Sequence, residues 1–167
     1  MQNSKSIENI KVRLLIVFLF SLALRLLFLN WNSAECTDGI QDICMLLPNY
    51  MGIAEFHPPL YSFLIQIFNL FLSNPETSAK LVSIFSGTLI LFPIYFLAKR
   101  IYNERVGYYA ILLYSVTPLA LRWNIRVMTY SLFSLLFLVS LLYFIKFYDK
   151  RRRIDLILFT FLSGLAA

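Results

Sequence analysis

The sequence predicts an all-α fold: a polytopic integral membrane helical bundle with an outer juxtamembrane loop and an amphipathic surface helix. Three observations carry that expectation. Hydrophobic residues make up 59% of the 167-residue chain and charged residues only 14%, which is not the balance of a soluble domain. The apolar residues are gathered into runs close to the roughly 20 needed to cross a ~30 Å hydrocarbon core. The basic residues fall between those runs, where they set membrane topology.

The first expected span covers 12–30. The preceding MQNSKSIENIKVR is polar and mildly basic, and no small-residue cleavage site occurs before Trp31, so an uncleaved span is expected rather than a signal peptide. An outer loop and a surface helix occupy 31–73. Further spans follow at about 79–98, 106–121 and 128–146. A last apolar run, 154–167, stops short of spanning length, and residues 1–167 are therefore expected to be the N-terminal part of a longer transmembrane domain. No repeat, Gly/Ser linker or low-complexity tract divides the chain, so one membrane domain is expected. The formal charge of +6 is taken up by the inter-span connectors, and nucleic acid is not an expected partner.

Lys5, Lys11 and Arg13 precede the first span and place the N-terminus in the cytoplasm by the positive-inside rule. Segment 31–57 then lies outside, and it holds Glu35, Asp38, Asp42 and Glu55 with no Lys or Arg. KRIYNER (99–105) and KFYDKRRR (146–153) both belong in the cytoplasm. They fall there together only if the stretch after EFHPP does not cross the membrane. LYSFLIQIFNLFLS is short for a span and contains Gln66 and Asn69, which favours a helix lying on the outer face. Pro58 and Pro59 suit its first turn, where a missing amide donor costs nothing. A short second span with an unusual charge pattern is the alternative.

Chemistry-bearing residues concentrate on the outer side. NSAECTDGIQDICMLLPNY holds three acids, and TDGIQDICMLL has the spacing of a helix capped by Thr37 or Asp38, with Ile40, Ile43, Cys44 and Leu47 on one face. Such a helix would hold Asp38 at its start, at the membrane surface. Glu55 and His57 lie together just before the prolines. Arg122 and Arg126, in LRWNIRVMTY, sit at the outer end of a span; arginines there normally snorkel or anchor, but these run against the positive-inside bias, which adds a bound anion as a second reading. An acid to take a proton and cations to hold a phosphate are what sugar transfer from a lipid phosphate requires. Cys36 and Cys44 are expected as free thiols, since eight residues of helix would separate them by about 12 Å. With one histidine and no close Cys/His grouping, a metal is not expected. No P-loop, dinucleotide fingerprint or Ser nucleophile motif occurs, and no cofactor is expected.

These residues resemble the N-terminal region of the GT-C glycosyltransferases, in the branch of protein O-mannosyltransferases and the lipid A aminoarabinose transferase. That pattern has an outer-loop Asp, an acid-x-Lys/His-Pro-Pro-Leu-Tyr element, a Gly…Tyr-x-x-x-Arg stretch and an Arg-x-x-x-Asp-x-Leu junction. Asp38 fits the first, EFHPPLYS the second and GTLILFPIYFLAKRIYNERVGYYAILLYSVTPL the third. At the junction, RVMTYSLF puts Arg126 on the Arg but Tyr130 where the acid usually stands.

The resemblance implies metal-independent transfer of a sugar from a polyprenyl-phosphate donor to a protein, lipid or glycan acceptor on the non-cytoplasmic face. It makes Asp38 the base or acceptor-orienting carboxylate and sets Glu55 and His57 near the donor phosphate; Arg126, on the junction arginine, is the further donor contact, while Arg122 is a donor-contact candidate from its position alone. Tyr130 puts the second acidic role in question, and Glu35 or Asp42 would then share the work of Asp38. The expected protein is a multi-pass glycosyltransferase of the plasma membrane, in contact with membrane lipids, whose residues 1–167 are inactive alone. The competing readings are a non-catalytic transporter or binding subunit for lipid-linked glycans, and a structural membrane segment without a ligand.

Overall fold

A computed structural model describes residues 2–30 and 59–166, with side chains for 12–30 and 60–166. Every regular element among them is helical: α1 (Gln2–Leu27), α2 (Pro59–Leu72), α3 (Pro75–Leu89), α4 (Leu91–Ile101), α5 (Glu104–Val116), α6 (Pro118–Asn124), α7 (Tyr130–Lys150) and α8 (Arg153–Ala166). Together with the apolar composition this is an all-α membrane fold. Among the described residues two stretches are long and apolar enough to cross a membrane, Pro75–Ile101 and Tyr130–Lys150.

The first of these stretches is α3 and α4 joined through Ile90. Pro93 has no amide to offer the Leu89 carbonyl, so the hydrogen-bond ladder is interrupted there. The bonds on either side remain, Ile90 N to Ser86 O at 3.1 Å and Ile94 N to Ile90 O at 3.2 Å, and the helix carries on. The apolar run 106–121, in contrast, is two helices. Thr117 is extended (φ −64°, ψ 119°) and Pro118 opens α6, because the residue before a proline is pushed out of the α region.

Caps fix the other boundaries. The Asn74 side chain accepts from Thr77 N at 3.1 Å and the Asn103 side chain from Val106 N at 2.9 Å, which satisfies amides that α3 and α5 would otherwise leave open. Ser73 and Arg151 adopt positive φ after α2 and α7, the left-handed turn that ends many helices.

Helices α4 and α5 form one antiparallel hairpin. They approach closely at Gly107, where an added Cβ would lie 3.0 Å from the Tyr95 carbonyl oxygen. Helices α7 and α8 form another, with Phe144 and Phe159 rings 5.2 Å apart. Lys99 pairs with Glu104 across the first turn at 3.0 Å, and Arg100 pairs with Asp149 between the two hairpins. KRIYNER and KFYDKRRR therefore meet at one end of the bundle. Arg13 of α1 is there too, sharing a cavity with Glu104 and Arg105.

Helix α2 lies at the opposite end, against the first half of α3. Tyr61 reaches the Ala79 carbonyl and Ser83, while Phe68 packs on Phe85 at 5.7 Å. In a straight antiparallel hairpin the order of these partners along α3 would be reversed, so α2 crosses α3. Its inner stripe, Tyr61, Ser62 and Ile65, is buried, and its outer face shows Phe63, Ile67, Leu70 and Phe71 with Gln66. The core has two parts: Tyr61, Ile65, Ala79, Val82, Val127 and Leu132 beneath α2, and Val17, Leu91, Tyr95 and Ile111 between α1, α4 and α5.

The close contact at Gly107 is tested by comparison with Gly164, around which a Cβ would meet nothing within 4 Å. Gly107→Leu is expected to destabilise the protein by about 1–3 kcal/mol through overpacking, whereas Gly164→Leu leaves it unchanged. Thermal unfolding in detergent measures both; equal midpoints for the two variants would contradict the packing of α5 on α4.

Candidate functional site at the end opposite the basic connectors

Arg25 is fully buried on α1, although it lies inside an expected membrane span. It is twelve residues beyond Arg13, hence about 18 Å further along the helix and far from the basic end. Its Nη1 donates to the Ser21 carbonyl at 3.0 Å and also to the Ser21 hydroxyl, and its guanidinium lies 5.8 Å from the centre of the Tyr114 ring. Nε and Nη2 are buried with no hydrogen-bond partner. A buried guanidinium left partly unpaired is costly unless an anion meets it.

A polar chain continues from Tyr114. Asn124 Nδ2 donates to the Tyr114 hydroxyl at 3.2 Å, and the Ser131 hydroxyl donates to Asn124 Oδ1 at 2.9 Å. Asn124 is buried against Gly87, whose missing side chain makes the room: a Cβ there would lie 2.4 Å from Asn124 Cγ. α1, α3, α5, α6 and α7 thus converge on one set of polar contacts. A cavity of about 460 Å³ opens beside it, lined by Tyr114, Thr117, Trp123, Asn124, Tyr130 and Ser131 among others.

Of the six site residues expected from the sequence, two can be placed. Arg126 is half-buried in the segment between α6 and α7, its guanidinium 5.4 Å from the centre of the Trp123 ring. Trp123 in turn meets Tyr130 edge-to-face at 5.6 Å, so Arg126 is held by the aromatic wall of the cavity. Arg122, in the last turn of α6, is exposed. Glu35, Asp38, Glu55 and His57 lie outside the described residues, as do Cys36, Cys44 and the helix expected over TDGIQDICMLL. Among the described residues no three His, Cys, Asp or Glu side chains are grouped to hold a metal ion.

Arg25, Tyr114, Asn124 and Ser131 were not among the sequence-derived candidates. Arg25 had a readable signal, since apart from Arg13 it is the only charge in the run 12–30. The other three carry no signal of their own, because their contacts are tertiary.

Hydroxyl groups and aromatic rings line this cavity, an arrangement suited to a polyhydroxylated group, and two of the lining rings, Tyr114 and Trp123, carry the guanidinium groups of Arg25 and Arg126, the side-chain type suited to an oxyanion. In comparison with known proteins, residues 56–167 match the family model described as dolichyl-phosphate-mannose-protein mannosyltransferase. The match begins within EFHPPLYS and includes α2 to α8. No curated protein and no solved structure matches the chain.

The packing of Asn124 against Gly87 gives a direct test. Gly87→Ala is expected to push Asn124 away from Tyr114 and Ser131, at a cost of roughly 1–3 kcal/mol, read from thermal unfolding. An unchanged midpoint would mean that the polar chain is not held by this contact.

Proposed function

The chain belongs to the dolichyl-phosphate-mannose-protein mannosyltransferase family, membrane glycosyltransferases of the GT-C kind, and on that premise we propose that it takes part in transferring a sugar from a polyprenyl-phosphate donor to a hydroxyl or amine acceptor on the non-cytoplasmic face. The observation that carries this reading is Arg126. It is half-buried, stacked on Trp123 beside an aromatic and hydroxyl-lined cavity, at the end of the bundle away from the basic connectors. A guanidinium fixed by a ring has already lost much of its freedom and can accept a phosphate without further ordering.

In the proposed reaction the acceptor oxygen or nitrogen attacks the anomeric carbon, and the bond from that carbon to the phosphate oxygen breaks. The electron pair leaves with the polyprenyl phosphate and the acceptor proton passes to Asp38. Arg126, with Arg122 and His57, stabilises the departing phosphate, while Glu55 and Glu35 complete the polar surroundings of donor and acceptor. Tyr130 stands where relatives usually carry an acid. It contributes ring surface and a hydroxyl in place of a second carboxylate, which leaves proton transfer to the loop acids. The N-terminus is assigned to the cytoplasm and the protein to the plasma membrane.

Two substitutions test the roles. Asp38→Asn keeps the size of the side chain but removes its capacity to accept a proton. Turnover should fall by on the order of 10²-fold or more with little change in donor binding. Arg126→Ala should weaken polyprenyl-phosphate donor binding by roughly 1.5–3 kcal/mol, the scale of a hydrogen bond to a charged group, and His57→Lys should be tolerated. Unchanged donor affinity in Arg126→Ala would remove this arginine from the site. Loss of turnover in Asp42→Asn but not in Asp38→Asn would move the base along the loop.

A further inference from the structure

The basic end of the bundle has a cavity of its own, also of about 460 Å³, between α1, α4 and α5. Arg13, Tyr95, Glu104, Arg105, Tyr108 and Tyr109 line it. Glu104 is the one acid in that lining, and its carboxylate is bound by Lys99 Nζ at 3.0 Å. Arg13 and Arg105 are exposed and form no ion pair among the described residues. Two guanidinium groups therefore face this space with their charge uncompensated.

Tyr95 is the independent observation. It is only 4% exposed, and its hydroxyl is buried with no hydrogen-bond partner. The ammonium of Lys99 lies 5.6 Å from the centre of its ring, and the ring of Phe96 meets it edge-on at 5.4 Å. A phenol that needed only packing could have been a phenylalanine. A buried hydroxyl without a partner is costly, and an acceptor reaching it from the cavity would remove that cost. Two forked cations and one hydroxyl donor match the oxygens of a phosphate group.

The surroundings decide which phosphate. Beyond the cavity, α1 turns Leu15, Ile16, Leu19 and Phe20 outward, and α5 turns out Tyr109, Leu113 and Val116. These apolar stripes run from the cavity toward the opposite end, along the surfaces that hydrocarbon would cover. A soluble phosphate has no use for them. A phospholipid anchored by its headgroup would lay its acyl chains on both, and the net positive charge at this end draws anionic lipid in preference to zwitterionic lipid.

We propose that the cavity lined by Arg13, Tyr95 and Arg105 binds the phosphate headgroup of an anionic membrane phospholipid, with its acyl chains lying on α1 and α5. The site is at the far end of the bundle from the proposed donor site and does not depend on it.

Native mass spectrometry of the detergent-solubilised protein with added phosphatidylglycerol or phosphatidylcholine tests this. Wild-type protein is expected to retain phosphatidylglycerol preferentially, and an excess of inorganic phosphate should not displace it. Arg13→Gln combined with Arg105→Gln should lower retention by roughly 10-fold or more, the effect of removing two cations at an anionic membrane surface. Both residues are exposed, so this variant keeps its fold. Tyr95→Phe should lower retention by roughly 5-fold, the effect of one hydrogen bond. Equal retention of phosphatidylcholine, unchanged retention in the arginine double variant and in Tyr95→Phe, or displacement by inorganic phosphate would each overturn the proposal.

Discussion

In hydrocarbon no water is available to pair a polar group, so each one must find its partner inside the protein. That constraint explains why the described chain is helical almost throughout and why its buried hydroxyls turn back onto their own helices. Thr88 donates to the Ile84 carbonyl at 2.7 Å and Ser115 to the Ile111 carbonyl at 2.6 Å. Where a polar group cannot be satisfied locally, it joins helices. Ser83 stands between the Tyr61 hydroxyl at 2.8 Å and the Met128 carbonyl at 3.3 Å, tying α2, α3 and the segment before α7 into one unit. Asn124 does the same for α5, α6 and α7.

Among the described residues the exceptions are Arg25, Tyr95 and the side-chain carbonyl of Asn69 on α2. Arg25 and Tyr95 are themselves buried residues that keep polar atoms without a partner. Departures from internal satisfaction collect where a molecule binds something else. The two lie toward opposite ends of the bundle. One lies against Tyr114, which lines the aromatic cavity where a lipid-phosphate donor is proposed to bind. The other is at the basic connectors, where a membrane lipid is proposed. The basic end is built by charge, through Arg100–Asp149 and Lys99–Glu104, and the other end by aromatic rings and neutral hydrogen bonds. Such asymmetry suits a protein whose two ends face different compartments.

Much of this was legible in the sequence, for physical reasons that differ from element to element. The all-α membrane class followed from long apolar runs, because spanning length is a property of composition. A short helix from Pro59 was readable because prolines fit a first turn and the apolar run after them is brief. The division of 106–121 was present in Thr117–Pro118, but an unbroken apolar run conceals a backbone break. The crossing of α2 over α3 and the role of Gly87 depend on distant parts of the chain meeting, and no local pattern encodes them. For the site, Arg126 was marked by a charge expected on the outer side, against the positive-inside bias. Arg25 was marked by a charge inside an expected span. Tyr114, Asn124 and Ser131 are common residues that acquire meaning only through their neighbours. The loop acids, on which proton transfer is proposed to rest, lie outside the described residues.

The two ends of the bundle are proposed to face opposite sides of the membrane, with the basic connectors in the cytoplasm and the transfer site outside. Single cysteines at Glu76, near the start of α3, and at Glu104, within KRIYNER, distinguish the sides when Cys36 and Cys44 are replaced. An impermeant thiol reagent applied to intact cells should label the protein at position 76 and leave position 104 unlabelled until the membrane is opened. Labelling of position 104 from outside would contradict the claim, and with it the assignment of Arg126 to a donor site on the outer face.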